Sequence, residues 1–292
     1  HKYIGPNTDV PAGDIGVGSK EIGYLFGQYK RLKNEFTGSL TGKSFNWGGS
    51  NLRPEATGFG NVYFAEHMLR TKNETFNKKT VVISGSGNVA QYSCQKAIEL
   101  GAKVVTLSDS SGFIYDKDGI SSEKLKFIFH LKNEKRGRIK EYADKFNCQF
   151  FEGKPWSVAC DIALPCATQN ELNSEDAKKL ITNGCICVSE GANMPCTPDA
   201  ISIFQTAKIL YAPGKASNAG GVATSALEMS QNSLRMYWSP KEVDEKLKRI
   251  MSQIHQSCVK YGKEEDYIDY VKGANVAAFF KIAHSMIDQG VV

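Results

Sequence analysis

Thr80-Val81-Val82-Ile83-Ser84-Gly85-Ser86-Gly87-Asn88-Val89-Ala90 reads as a short β-branched run, a glycine turn and the opening of a helix. This is the GxGxxA form of a dinucleotide-binding turn. Gly85 permits the tight turn, Gly87 lets a pyrophosphate approach the backbone, and Ala90 lets helix and strand pack closely. The helix start at Asn88 and Val89 offers free N–H groups and a partial positive charge to phosphate. Gly85, Gly87, Asn88 and Val89 are therefore candidate cofactor-binding residues.

Outward from this turn the pattern alternates. Apolar strands are expected at 80–84, 103–108, 162–165, 185–189 and 209–212, and helices at 88–100, 122–133, 137–146, 174–183 and 198–207. Upstream, helices are expected from Ile15 to Lys33, with Ser19 as N-cap and Ile22, Leu25, Phe26, Tyr29 and Leu32 on its apolar face, and from Pro54 to about Thr71. Beyond Val222 long helices run to about Val292. Alternating strands and helices specify an α/β fold with a Rossmann-like, doubly wound parallel sheet.

The second strand ends at Asp109, followed by Ser110, Ser111 and Gly112. An acid there holds ribose hydroxyls and favours NAD. The two serines, and one or two cations of the cluster Lys132, Lys135, Arg136, Arg138 and Lys140, suit the 2′-phosphate of NADP instead, Lys132 foremost. On these residues alone NAD and NADP stand level, and a solvated helix face accounts for the cations equally well.

Asp14 sits among Gly13, Gly16 and Gly18 just before a helix, a setting for a general acid/base or for a helix cap. Three further segments are polar where a core would be apolar: Arg53 to Gly58, including Thr57; Ala167-Thr168-Gln169-Asn170; and Gly191-Ala192-Asn193. The last two follow strands, where ligands bind in such sheets, and their amides and hydroxyls suit a nicotinamide carboxamide. The small-residue stretch Lys215 to Ser225 holds Asn218, Val222 and Ser225, with Ser225 placed to meet a substrate carboxylate; ordinary capping is its competing reading. His67, His130, His255 and His284 read as lone packing or surface residues.

Lysine and arginine exceed aspartate and glutamate by 36 − 31 = 5, too small an excess to argue for a nucleic-acid partner. No apolar run of about 18 residues marks a membrane helix. The eight cysteines form no CxxC pair and supply no metal-ligand spacing, so no metal is expected and buried, reduced thiols are. A cytoplasmic setting follows, with an organellar matrix as the alternative.

The motifs PAGDIGVG (11–18), GGSNLRPEATGFG (48–60), SGSGNVAQY (84–92), SDSSG (108–112), DIALPCATQNEL (161–172), EGANMP (190–195), PGKASNAGGVATSALEMSQN (213–232) and GAN (273–275) occur in an order that resembles the hexameric glutamate dehydrogenases, NADP-linked type, of the Glu/Leu/Phe/Val dehydrogenase superfamily. The resemblance implies reversible oxidation of L-glutamate to 2-oxoglutarate and ammonia with NADP, by hydride transfer, in a homo-hexamer. It implies Asp14 as the catalytic aspartate, and Gly13, Arg53, Val222 and Ser225 as substrate-binding residues, Ser225 taking the side-chain carboxylate. It places Thr57, Asn88 and Asn218 in the cofactor site, Ala167 and Thr168 near the nicotinamide, and Asp109, Ser110 and Lys132 around the ribose phosphate, which turns the level choice towards NADP.

The implied domains are 1–48, the end of a substrate and oligomerisation domain; 49–269, the dinucleotide domain; and 270–292, a terminal helix returning to the substrate domain. The Gly- and Lys-rich motif that carries the family's substrate lysines has no match. The chain is thus expected to be a partial dehydrogenase that by itself binds NADP(H) without turning over glutamate. Ser225, where leucine, valine or phenylalanine dehydrogenases need an apolar residue, disfavours those activities. A non-catalytic NADP-binding protein is the remaining alternative.

Overall fold

The computed structural model describes residues 1–14 and 16–290. Close contacts group the chain into two units, His1–Ala56 with Gly220–Ile250, and Thr57–Ala219 with Met251–Val292.

The second unit is built on seven strands: β1 (Thr80–Ile83), β2 (Lys103–Asp109), β3 (Gly112–Tyr115), β4 (Gln149–Phe151), β5 (Ile162–Leu164), β6 (Cys187–Ser189) and β7 (Leu210–Ala212). Their order across the sheet is β4-β3-β2-β1-β5-β6-β7. β1 pairs in parallel with β2 and β5, through Val81 with Val104 and with Ile162, and β5, β6 and β7 continue in parallel. The chain runs outward from β1 to β2 and later returns to the other side of β1 at β5. The strand order therefore reverses between β1 and β5, and a crevice at their carboxyl ends is the natural ligand site of such a sheet.

β3 and β4 are antiparallel additions that the strand–helix alternation does not announce. Asp109 pairs with Gly112 across the tight Ser110-Ser111 turn, and β3 then pairs with β4. The expected helix 122–133 stops at Phe129 and continues as one π-helical turn, His130–Glu134. Helix starts follow local chemistry. Asn173 accepts from the Asp176 amide while Asp176 reaches back, Thr197 caps a helix with Pro198 in its first turn, and Asp269 caps Tyr270–Gln289. One face of the sheet buries Val82, Val105, Ala163 and Val188 against Leu180, Phe204 and Trp156.

In the first unit the helix Ser19–Lys33 buries Ile22, Phe26 and Tyr29 against Leu40, with Phe26 stacked on Trp47 at 5.4 Å. Its N-cap is Gly18, whose amide donates to Glu21 at 2.8 Å, rather than Ser19. Leu25 and Leu32 face solvent rather than the core. Ile15, where the sequence begins this helix, lies outside the described residues, as do Val291 and Val292 at the expected end of the last one. The helix Gly220–Leu234 also belongs to this unit, whereas the sequence boundaries assign it to 49–269. The reason is a buried polar seam. Glu228 accepts from the Gly42 and Lys43 amides and pairs with the Lys43 ammonium at 2.7 Å, Gln231 donates to Ser50, and Asn232 donates to the Gly48 carbonyl.

All eight cysteines are free, and all but Cys148 are buried. No helix among the described residues is long and apolar enough to cross a membrane.

Candidate functional site

The phosphate turn follows β1 directly. Gly85 has φ +81°, and a Cβ there would lie 2.9 Å from the Cys166 carbonyl oxygen. The turn after β5 thus presses on the turn after β1, and only glycine fits between them. Gly87 precedes the helix Asn88–Glu99 with extended backbone, and a Cβ on it would meet nothing within 4 Å. The space outside Gly87 and the helix start is therefore open to an anionic group, as a bound pyrophosphate requires. Asn88 is exposed and Val89 half-buried in the first helical turn, while Ala90 is fully buried. Gln91 donates to the Ser86 carbonyl at 2.7 Å and exchanges amide hydrogen bonds with Asn133 of the π turn, both at 3.1 Å, which fastens the loop from behind. Thr57 lies at the start of the helix Ala56–Arg70. This helix reaches the phosphate-turn helix at Gly58, where a Cβ would come 2.5 Å from the Ser93 nitrogen.

Asp109 is engaged within the protein. Its carboxylate accepts from the Ser111 amide at 2.9 Å, the Ser111 hydroxyl and the Ile139 amide at 2.8 Å, and faces the Lys132 ammonium at 3.4 Å. Partial burial pushes this carboxyl up, but those hydrogen bonds and the Lys132 charge prevail and hold it below the usual carboxylate range. Lys132 also donates to the Gly137 carbonyl at 2.8 Å. The Ser111 hydroxyl is thus turned towards Asp109. Ser110 is exposed and accepts from the Arg138 guanidinium at 2.7 Å, which singles Arg138 out of the basic cluster as the cation beside the Ser110 hydroxyl.

The turns after β5 and β6 expose Ala167, Thr168 and Asn193. Asn218, capping the end of the short helix Gly214–Ser217 after β7, donates to the Asn193 side chain at 2.7 Å and to the Ala192 carbonyl at 3.3 Å. The structure thus brings Asn193 and Asn218 together. Each turn rests on a buried glutamate that sequence reading passed over. Glu171 accepts from Ser84 and Ala167. Glu190 accepts from the Tyr211 hydroxyl and the Gly214 amide, both at 2.6 Å, and the Cys196 amide at 3.3 Å. Burial pushes both carboxyls up, against those hydrogen bonds.

In the first unit, Asp14 is exposed and its carbonyl accepts from the Val17 amide at 2.8 Å. A Cβ on Gly13 would lie 2.4 Å from the Val17 carbonyl oxygen, so the tight loop itself demands glycine there. Arg53 donates through Nε to the Ser225 hydroxyl at 3.0 Å. Burial lowers the Arg53 pKa while the Glu228 carboxylate raises it, and the guanidinium stays charged. Ser225 is buried, and Val222, three residues earlier on the same helix, is 70% exposed. No group of three or more metal-ligating side chains occurs among the described residues.

The comparisons with known proteins agree along the chain. Residues 48–290 match the family model described as Glutamate/Leucine/Phenylalanine/Valine dehydrogenase, and residues 1–31 match the Glu/Leu/Phe/Val dehydrogenase dimerisation domain. A glutamate dehydrogenase of Bacteroides thetaiotaomicron is 63% identical over 293 residues, covering 100% of this chain and 66% of the relative. An NAD(P)-specific glutamate dehydrogenase of Xylanibacter ruminicola is also 63% identical, over the same share of each chain. The crystal structure of Plasmodium falciparum glutamate dehydrogenase superposes with a TM-score of 0.96 at 54% identity, over 100% of this chain and 63% of that one. Other relatives carry names specifying NAD and names specifying NADP. The chain spans just under two thirds of the length of these relatives, and it belongs to the Glutamate/Leucine/Phenylalanine/Valine dehydrogenase family.

Proposed function

We propose that the protein acts as an NADP-dependent glutamate dehydrogenase, interconverting L-glutamate with 2-oxoglutarate and ammonia. The observation that carries the substrate reading is the Arg53–Ser225 hydrogen bond. The serine oxygen accepts from the guanidinium, so its own proton is available to a carboxylate, and the cation behind it favours an anionic ligand. An apolar amino-acid side chain would give the Ser225 proton no acceptor. The names of the relatives at 63% identity support the same substrate.

In this reading the Gly85, Gly87, Asn88 and Val89 backbone holds the pyrophosphate at the helix start, with Thr57 beside it. Ala167, Thr168, Asn193 and Asn218 orient the carboxamide end. NADP⁺, when bound, supplies the nicotinamide that accepts hydride from the substrate α-carbon. Asp14 takes and returns the proton at the substrate nitrogen, with Gly13 and Val222 lining the substrate. Preference for NADP rests on Asp109, whose oxygens are engaged by Lys132, Ile139 and Ser111, while Ser110 and Arg138 remain on the outside for a 2′-phosphate.

We further propose a homo-hexamer. Its contact surfaces include the solvent-facing Tyr24, Leu25 and Leu32 in and beside the segment that matches the dimerisation model. The exposed Phe279, Ile282, Met286 and Ile287 of the terminal helix suit a return to the substrate domain.

The test is an assay of the full-length protein with glutamate and NADP⁺ or NAD⁺ in parallel. Turnover with glutamate, faster with NADP⁺, is expected; turnover with leucine or valine but not glutamate overturns the reading. Asp14→Asn is expected to lower turnover by about 100-fold or more while NADPH still binds, in line with the usual weight of general acid–base catalysis.

A further inference from the structure

We propose that Glu171 is a positioning residue that sets the nicotinamide half of the dinucleotide site, by tying the Ala167–Thr168 turn to the end of β1 through Ser84. The inference rests on the dinucleotide reading above and adds a residue to it.

Glu171 lies seven residues beyond the end of β5, and its carboxylate is buried beneath an exposed turn. One oxygen accepts from both the Ser84 hydroxyl at 2.8 Å and the Ala167 amide at 2.9 Å. Ser84 is the last residue before the phosphate turn. Its hydroxyl oxygen accepts from the Cys166 amide at 2.9 Å while its proton goes to Glu171. Two consecutive amides, those of Cys166 and Ala167, are therefore held by one serine–glutamate pair. The same turn presses on the missing side chain of Gly85, through the Cys166 carbonyl and the Ala167 Cα. The two turns that flank the strand-order reversal are thus locked together by a single buried carboxylate.

A purely structural role has little use for a carboxylate here, since burying one is costly. Its chemistry fits positioning: a carboxylate is acceptor-only, so both oxygens can take N–H or O–H donors from the turn. A leucine would leave both donors unpaired. Lys154 steadies the segment from outside, donating to the Glu171 carbonyl and pairing with Asp176 at 3.7 Å. The residues so oriented, Ala167 and Thr168, are exposed beyond the strand ends and remote in chain from Ser110, Lys132 and Arg138. Loss of the lock should therefore be felt by one half of the ligand.

The test uses the full-length protein, Glu171→Leu and Ser84→Ala. Affinities are measured for NADPH and for adenosine 2′,5′-bisphosphate, which carries only the adenosine half, alongside the thermal unfolding midpoint. Both variants are expected to bind NADPH roughly tenfold more weakly or worse, the cost of at least one unsatisfied buried donor, and to bind the bisphosphate as the parent does. If Glu171→Leu does not fold, Ser84→Ala decides. NADPH affinity that is unchanged, or that falls in step with bisphosphate affinity, overturns the proposal. A parent protein that binds neither ligand overturns the dinucleotide reading itself, and the positioning role with it.

Discussion

Arg53 Nε donates to Ser225 Oγ at 3.0 Å, fixing the serine as acceptor on one side and donor on the other. Ser225→Ala removes that donor and leaves the half-buried guanidinium short of a partner. Glutamate kcat/KM should fall roughly tenfold to a hundredfold, since a hydrogen bond to a charged group is worth about 1.5–3 kcal/mol. NADPH affinity should stay unchanged. Steady-state kinetics with a parallel NADPH fluorescence titration checks this; unchanged kcat/KM removes Ser225 from substrate recognition.

Lys132 neutralises Asp109 at 3.4 Å. In Lys132→Ala that carboxylate would face an incoming 2′-phosphate with its charge uncompensated. NADPH should bind about tenfold or more weakly, with a much smaller loss for NADH, which brings no phosphate to that position. Equal losses for the two cofactors would make Lys132 a support of the turn and nothing more.

Gly85 and Gly87 should separate folding from binding. At Gly85 a new Cβ meets φ +81° and an oxygen at 2.9 Å. Gly85→Ala should lower stability by at least about 1 kcal/mol, read as a lower unfolding midpoint. At Gly87 a new Cβ meets nothing within 4 Å, so Gly87→Ala should keep the parental midpoint. The methyl would instead fill the approach of the pyrophosphate, and NADPH binding should be lost. Full NADPH affinity in Gly87→Ala would contradict the phosphate-turn assignment.

His255 and His67 should make stability depend on pH. Their rings stack with centroids 5.4 Å apart, and His255 Nε2 meets the Tyr270 hydroxyl at 3.1 Å. Burial, and then the His67 charge, push the His255 pKa from 6.5 down to about 4. His67 is lowered too, by burial and then by Arg70, with Glu66 opposing. The folded protein therefore holds His255 neutral, and the unfolded chain binds its proton more tightly. The stability from this difference is complete above about pH 6.5 and is lost as pH falls towards about 4. For His255 alone it is on the order of 3 kcal/mol. Thermal unfolding between those pH values should fall more steeply for the parent than for His255→Gln, and equal slopes would overturn the prediction.

The parallel core was legible because Val81, Val82 and Ile83 and their counterparts form continuous apolar runs between glycine turns and capped helices. β3 and β4 were not. β5, β6 and β7 are just as short, but their residues are all buried and apolar in pattern, whereas β3 starts at Gly112 directly after a two-residue turn and β4 is a partly exposed edge strand. The Gly85–Ala90 turn could be read because its chemistry is local. The engagement of Asp109 by Lys132 joins residues 23 apart, and that of Glu171 by Ser84 joins residues 87 apart, so neither could be read from a motif. The same limit hid His67 beside His255, which sequence treated as isolated. The grouping of Gly220–Ile250 with His1–Ala56 depends on Glu228 meeting Gly42 and Lys43 across more than 180 residues.

The reduced cysteines give the protein built-in reporters of its own opening. Seven of the eight thiols are shut inside, and burial pushes those of Cys166 and Cys258 up to about 12 and about 11. A thiol-reactive dye cannot attack them while the surrounding structure is closed, because the reactive thiolate needs both deprotonation and access. Their labelling rates therefore time the breathing of separate regions: Cys258 the long C-terminal helices, Cys166 the turn that Glu171 holds, and half-buried Cys148 the margin beside β4.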